Sequence, residues 1–422
     1  MPKSNTYFSA TALQKLHKSV FLLVVIAAFA ACGDRKKTSD TTAVSSQKSL
    51  SVDASLQQRL GDFASARRPK GNFGLYVFDL TAGKLVFADH ENLSQPIASN
   101  TKLLSGVAVL HRLGTRYKYA TSLYTCGTVS GGLLHGDVVF KAGLDPLLQP
   151  EDLNMFAAAL HRKGIMRFDG RLVFDLVLHE KVRAEEHWYP WDLAFSHYGL
   201  LYKGEDKVQQ AFKQALRTHG IAVADSQIVS ARTPRGAHCI FRFYRSVDRV
   251  TRLMWKNSSN TQATSLLYTL GHTVQPSNPD LAAAGVNYLR HFLRSDLGQR
   301  DTSLVIHDGC GLCTRNSLSP KALGAVLIYG YRHKDIYRQL MQNLSISGVD
   351  GTLYHLVNDP RMRGRIHGKT GTLSHPYGIS SLAGYCRGND GHDLAFVLLN
   401  SDMSVLDAHV LQRNLCKALT AN

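Results

Sequence analysis

Strand-like runs stand toward both ends of this 422-residue chain, and that pattern constrains its fold more than any other feature. Near the start, Leu75-Tyr76-Val77-Phe78 and Leu85-Val86-Phe87 are apolar, β-prone runs separated by Thr81-Ala82-Gly83, a hairpin signal over Asn72 to Ala88. Near the end, Ile379 to Arg387 and Asp393 to Asn400 are strand-like and joined by Gly388-Asn389-Asp390-Gly391. A last amphipathic helix follows, marked by Leu406, Val410, Leu411 and Leu415. Helices fill part of the interval. After the break at Pro96, Leu103, Val107, Leu110 and Leu113 recur at helical spacing from Ser99, and Gly114 is placed to stop that helix. Helical patterning returns from Ser246 to Leu270. Residues 120 to 245 differ: short strands such as Gly136 to Lys141 and Arg171 to Leu178 alternate with turns such as Gly143-Leu144-Asp145-Pro146. The pattern predicts an α+β fold interrupted by a β-rich inserted domain, with 54–122 and 245–422 forming the main domain and 123–244 the insertion. No internal repeat is present.

The N-terminus reads as an export signal. Lys15 and Lys18 precede an apolar run from Val20 to Ala31, which is short for a membrane span. Ala30 and Ala31 stand directly before Cys32, an arrangement similar to a bacterial lipoprotein signal, although Phe29 is larger than the residue usual there. The expectation is a signal over residues 1–32 with Cys32 lipidated, and a periplasmic protein anchored to a bacterial membrane. Residues 33–53 are polar and rich in Ser, Thr and Lys. They read as a tether, and about 20 extended residues reach roughly 70 Å. Lys and Arg number 49 against 32 Asp and Glu, a net +17 that draws the chain to polyanions. No nucleic-acid fingerprint accompanies that charge, so anionic wall or lipid is the better match and no nucleic acid is expected. Setting Cys32 aside leaves Cys126, Cys239, Cys310, Cys313, Cys386 and Cys416, an even number that permits disulfides without specifying any. Cys310 and Cys313 form a CxxC, but no second CxxC and no thioredoxin-like context supports a metal or redox site.

Three short motifs carry chemistry. Ser99 and Lys102 share a helix face in Ser99-Asn100-Thr101-Lys102. A serine hydroxyl attacks only once its proton is taken, and a neutral lysine one turn away can take it. Ser45 and Lys48 have the same spacing but lie in the tether, where no packed helix aligns them. Ser258-Ser259-Asn260 is the only SxN of the chain: Ser258 offers a second hydroxyl, and the Asn260 amide can hold a peptide and orient Lys102. Lys369-Thr370-Gly371-Thr372 contains the only KTG. On an edge strand its ammonium, hydroxyls and close backbone approach at Gly371 suit a substrate ending in a carboxylate. Alone, each motif also reads as ordinary polar surface or a turn. Together and in this order they are the signature set of penicillin-binding proteins and serine β-lactamases.

Further segments make the resemblance specific. The chain resembles the D-Ala-D-Ala carboxypeptidase/endopeptidase family, the low-molecular-mass class C penicillin-binding proteins, over most of residues 55–420. Pro96-Ile97-Ala98-Ser99-Asn100-Thr101-Lys102 is similar to the family's nucleophile segment, and Gly136-Asp137 with Gly143-Leu144-Asp145-Pro146 to its "GD…GGDP" hairpin. Trp188-Tyr189-Pro190-Trp191-Asp192, Gly348-Val349-Asp350-Gly351-Thr352-Leu353 and Gly368-Lys369-Thr370-Gly371-Thr372-Leu373 match further segments. Asp308-Gly309-Cys310-Gly311-Leu312-Cys313 resembles "DGSGLS", with cysteines where the family has serines.

The resemblance implies a transpeptidase-like fold and a peptidase of peptidoglycan stem peptides that β-lactams acylate. Ser99 would be the nucleophile and Lys102 its base, with Ser258 and Asn260 completing the catalytic set. Lys369, Thr370, Gly371 and Thr372 would bind the substrate carboxylate, the backbone N–H groups of Ser99 and Thr372 would hold the oxyanion, and no metal or cofactor would be needed. Two other readings share the scaffold: a β-lactamase or esterase, and a non-catalytic wall-binding penicillin sensor. The lactamase reading lacks a Glu-x-x-Leu-Asn segment, and no glutamate follows Glu205. The sensor reading is at odds with the intact motif residues.

Overall fold

The computed structural model describes residues 50–194, 196–375 and 378–421. The expected signal, Cys32 and the tether up to residue 49 lie outside the described residues.

The strands from the two ends meet in one sheet. Its order is Ser345–Ile346, Ile366–Leu373, Ile379–Arg387, Asp393–Ser401, Asn72–Asp79, Lys84–Asp89, antiparallel throughout. The N-terminal hairpin therefore adds to the C-terminal strands through Asn72–Asp79 against Asp393–Ser401, in register from Asn72↔Ser401 to Asp79↔Leu394. A lone hairpin is marginal in water, and joining the sheet gives it a buried face. Period-two alternation then splits the side chains between two cores. Leu75, Val77, Phe396 and Leu398 pack with Leu56, Leu60, Leu415 and Leu419 of the terminal helices Ala54–Ser65 and Val405–Thr420. Tyr76, Val397 and Leu399 face the other core, which holds Val107, Leu323 and Leu327. Ile379–Cys386 is buried on both faces, so it reads as an unbroken apolar run rather than an alternating one.

Behind the second face lie the central helices Thr101–Leu113 and Asn260–Val274. Residues 101–110 and 261–271 are buried without interruption, as expected for helices enclosed on all sides. Glycines allow the close approach. A Cβ on Gly106 would overlap the Trp255 ring, and one on Gly271 would overlap the Leu281 backbone.

The insertion builds a second sheet, in the order Ile228–Ser230, Leu172–Leu176, Leu133–Ala142, Lys118–Ser130, His238–Ser246. Lys118–Ser130 and Leu133–Ala142 form an antiparallel hairpin around Gly131 and Gly132, but Leu172–Leu176 and Ile228–Ser230 pair in parallel. Parallel neighbours need crossovers. Helices Asn154–Arg162 and Glu205–Thr218 lie on those two connections, and Phe140, Phe156, Phe174 and Phe212 pack between helices and sheet. The β-rich insertion thus carries helices that the strand-dominated sequence pattern did not announce.

Candidate active site

Ser99 lies in a tight turn, Ala98–Asn100, and the α-helix begins at Thr101 rather than at Ser99. The turn is held from several sides. Ala98 has φ +46°, a conformation that costs a non-glycine residue of order 1–3 kcal/mol and persists only when its surroundings fix it. Thr101 Oγ1 donates to the Ala98 carbonyl at 2.8 Å, and Gly311 lies against that carbonyl with no room for a side chain. Asn100 Nδ2 donates to Ser381 Oγ at 2.7 Å, and Ser381 Oγ donates to the Ile97 carbonyl at 2.8 Å. These bonds tie the turn to the central sheet and leave Ser99 half-exposed.

Lys102 is fully buried beneath it. Its Nζ lies 2.8 Å from Ser99 Oγ and donates to Asn260 Oδ1 at 2.7 Å and to the Cys310 carbonyl. Burial lowers its pKa to about 8, against a weaker upward pull from Cys310 and Asp308. A neutral lysine amine has two N–H bonds and one lone pair. Asn260 Oδ1 and the Cys310 oxygen can only accept, so they take both N–H bonds and the lone pair is left for the Ser99 hydroxyl.

Ser258 comes from the turn between helices Val247–Lys256 and Asn260–Val274, at φ +57°. Its hydroxyl accepts from Lys369 Nζ at 2.8 Å. Lys369 is also fully buried and donates to the Thr370 carbonyl at 2.5 Å; burial, and then the charge of Lys102, hold its pKa well below the usual lysine value. Neither lysine has a carboxylate partner among the described residues. The outer edge of Ile366–Leu373 is covered by Ser345–Ile346 only as far as Gly368, so the strand is paired on one side from Lys369 onward. Gly371 brings this strand against the nucleophile turn: a Cβ there would meet the Ile97 oxygen at 2.5 Å and Asn100 N at 3.1 Å. The exposed Thr372 follows. Thr370 points elsewhere, with Oγ1 donating to Thr352 Oγ1 at 2.8 Å. Thr352 N in turn donates to Ser345 Oγ at 3.1 Å. Among the described residues, Thr370 and Thr372 make no hydrogen bond to Ser99, Lys102, Ser258 or Asn260.

The sequence motifs did not reveal what supports this set. Asp308 is buried and is the hub of its loop. Its Oδ1 accepts from Cys310 N at 3.1 Å, Gly311 N at 2.7 Å and Asn316 Nδ2 at 2.7 Å; its Oδ2 accepts from Cys313 N at 2.8 Å and Trp188 Nε1 at 2.7 Å. The result aims the Cys310 carbonyl at Lys102. Trp255 Nε1 adds a bond to the Lys102 carbonyl at 2.8 Å. The available signals were the aspartate opening the Asp308–Cys313 segment and the Trp188 segment. All six described cysteines are free, so the permitted disulfides are not formed, and Cys310 is a buried thiol whose burial pushes its pKa well up.

A family model described as the D-Ala-D-Ala carboxypeptidase 3 (S13) family matches residues 53–199 and 201–421. Among curated proteins, the chain is 20% identical over 420 residues to D-alanyl-D-alanine carboxypeptidase DacB of Haemophilus influenzae, covering 78% of this chain and 85% of that one. Among solved structures, penicillin binding protein 4 of H. influenzae superposes with a TM-score of 0.71 at 19% identity, covering 87% of this chain and 99% of that one. A predatory peptidoglycan endopeptidase of Bdellovibrio bacteriovorus gives 0.54 at 15% identity, over 83% and 92%. These two structural likenesses speak for the fold: a transpeptidase-type domain with an inserted β-rich subdomain.

Proposed function

The chain belongs to the D-Ala-D-Ala carboxypeptidase 3 (S13) family, and from that membership we propose how its own residues run the reaction. It is a serine-type D-Ala-D-Ala carboxypeptidase/endopeptidase of periplasmic peptidoglycan, and β-lactams are its acylating ligands. Ser99 Oγ attacks the carbonyl carbon of the penultimate D-alanine while its proton passes to Lys102 Nζ. The oxyanion is held by backbone N–H groups of Ser99 and Thr372. The leaving amine takes the proton that Lys102 received from Ser99, either from Lys102 itself or by way of the Ser258 hydroxyl. Water then cleaves the Ser99 ester. Lys369, with Gly371 and Thr372, receives the terminal carboxylate, and Thr370, expected from the motif to join them, would do so only by turning its hydroxyl away from Thr352.

The observation that carries this reading is the bonding of Lys102. Two acceptors occupy its N–H groups and its lone pair is left for Ser99, with a pKa of about 8 that keeps a useful neutral fraction near neutrality. We further propose that 54–122 and 245–422 form the catalytic domain and 123–244 the inserted one, and that lipid on Cys32 holds the protein at a membrane. No described helix is long and apolar enough to cross one. The test is mass spectrometry of stem pentapeptides and cross-linked muropeptides after digestion. The expected products are free D-alanine or uncross-linked peptides, absent with Ser99→Ala. Equal product from that variant, or none from the wild type, overturns the assignment.

A further inference from the structure

Beside the catalytic loop, four side chains from two distant segments converge without a role in the chemistry above. Glu185 and His187 come from the insertion, and His307 and Cys313 flank and close the Asp308 loop. One donor atom from each lies within 4.8 Å of the other three. The two imidazoles are in edge contact, with centroids 4.8 Å apart. Glu185 Oε1 lies 2.5 Å from His187 Nδ1 and 3.7 Å from His307 Nδ1. Cys313 is buried and in no disulfide.

We propose that Glu185, His187, His307 and Cys313 form a zinc site that clamps the insertion to the catalytic loop. One thiolate, two imidazoles and a carboxylate are the borderline donors that a tetrahedral Zn²⁺ takes, and four protein ligands close the site as structural sites are closed. The charges balance: thiolate and carboxylate neutralise the dication, so a partly buried site carries no net charge. With metal–ligand bonds of roughly 2.0–2.3 Å, donors sit roughly 3.4–3.7 Å apart. The widest pairs, up to 4.8 Å, therefore close by about an ångström while the 2.5 Å Glu185–His187 pair opens by about as much, and Cys313 loses its proton to the solvent on binding. A cleft of about 810 Å³, lined in part by Glu185, Trp188, His307 and Asp308, gives the ion a path. The clamp bridges the two segments that the Trp188–Asp308 bond already joins, next to the carbonyl that receives Lys102. Zinc is a positioning element here and takes no part in acyl transfer.

The test uses the purified mature protein, stripped with chelator and titrated with Zn²⁺. The expected result is one equivalent per chain by elemental analysis. At a hundredfold excess over Kd, the unfolding constant should fall about a hundredfold. Co²⁺ should give the near-ultraviolet charge-transfer band of a cobalt thiolate. Cys313→Ser should lose the band and His307→Ala the stoichiometry, whereas Cys310→Ser, whose sulfur is outside the cluster, should keep both. Covalent labelling by a fluorescent penicillin checks that each variant is folded, and it reports on Ser99 chemistry separately from metal binding. Wild type that binds no stoichiometric zinc, or a labelled Cys313→Ser variant that binds it as well as wild type, overturns the site.

Discussion

Replacing Asp308 by asparagine tests how the catalytic lysine is supported, because the change preserves shape and reverses hydrogen-bond polarity on one side. If the asparagine oxygen takes the Oδ1 place, it keeps the bonds from Cys310 N, Gly311 N and Asn316. Its NH₂ group then faces Cys313 N and Trp188 Nε1, two buried donors that lose their acceptor. Each orphaned donor costs about 1–3 kcal/mol, so the loss should be about 2–6 kcal/mol, a large share of the ~5–15 kcal/mol that holds a typical protein folded. The opposite amide orientation orphans three donors and costs more. The effect on activity has its own sign. The Asp308 charge raises the Lys102 pKa, so removing it should move that pKa below about 8. The variant should therefore be less stable in urea yet reach its full acylation rate at lower pH. Urea unfolding and stopped-flow penicillin acylation between pH 6 and 9 measure both. Unchanged stability, or a rate limb moved to higher pH, would refute the role assigned to Asp308.

Other expectations follow from the same geometry. Wild-type acylation should rise with pH and level off above about 8 as Lys102 loses its proton, and Lys102→Met should abolish the limb together with the reaction. Lys369→Ala should slow acylation by a D-Ala-D-Ala carboxylate about ten- to a hundredfold, since a charge-assisted hydrogen bond is worth ~1.5–3 kcal/mol, and should matter much less for the amide. An equal loss on both substrates would instead assign Lys369 to proton transfer through Ser258. Cys32→Ala should move the protein from the detergent-released membrane fraction to the soluble one or leave it unprocessed. A soluble wild type beginning near Gly33 contradicts lipidation.

How far the sequence reached depends on the kind of interaction involved. The hairpin over 72–88 and the strands after Ile379 were legible because runs of Val, Ile, Leu and Phe bounded by Gly and Asn turns signal strands locally. That these two ends pair is a contact across more than 300 positions, and only the α+β pattern hinted at it. The helices of the insertion were obscured because the parallel pairing that demands crossovers is invisible in local turns. At the site, Ser99 and Lys102 are one turn apart, Ser99 in the tight turn that leads into the helix of Lys102, so their 2.8 Å contact was foreseeable from spacing. Lys369 beside Ser258, and the Cys310 carbonyl beside Lys102, are set by tertiary packing. The strained turn at Ala98 was hidden too, since it is held by the distant Gly311 and Ser381 as well as by the nearby Thr101.

The central claim is that Ser99 is the nucleophile, and the most direct measurement is covalent labelling by a fluorescent penicillin followed by peptide mapping. The account predicts one labelled peptide, containing Ser99, with an adduct that persists for minutes or longer, and no labelling of a Ser99→Ala variant that melts like the wild type. Labelling of that variant, or an adduct on any other residue, would contradict it; rapid turnover of the adduct would instead mark a β-lactamase.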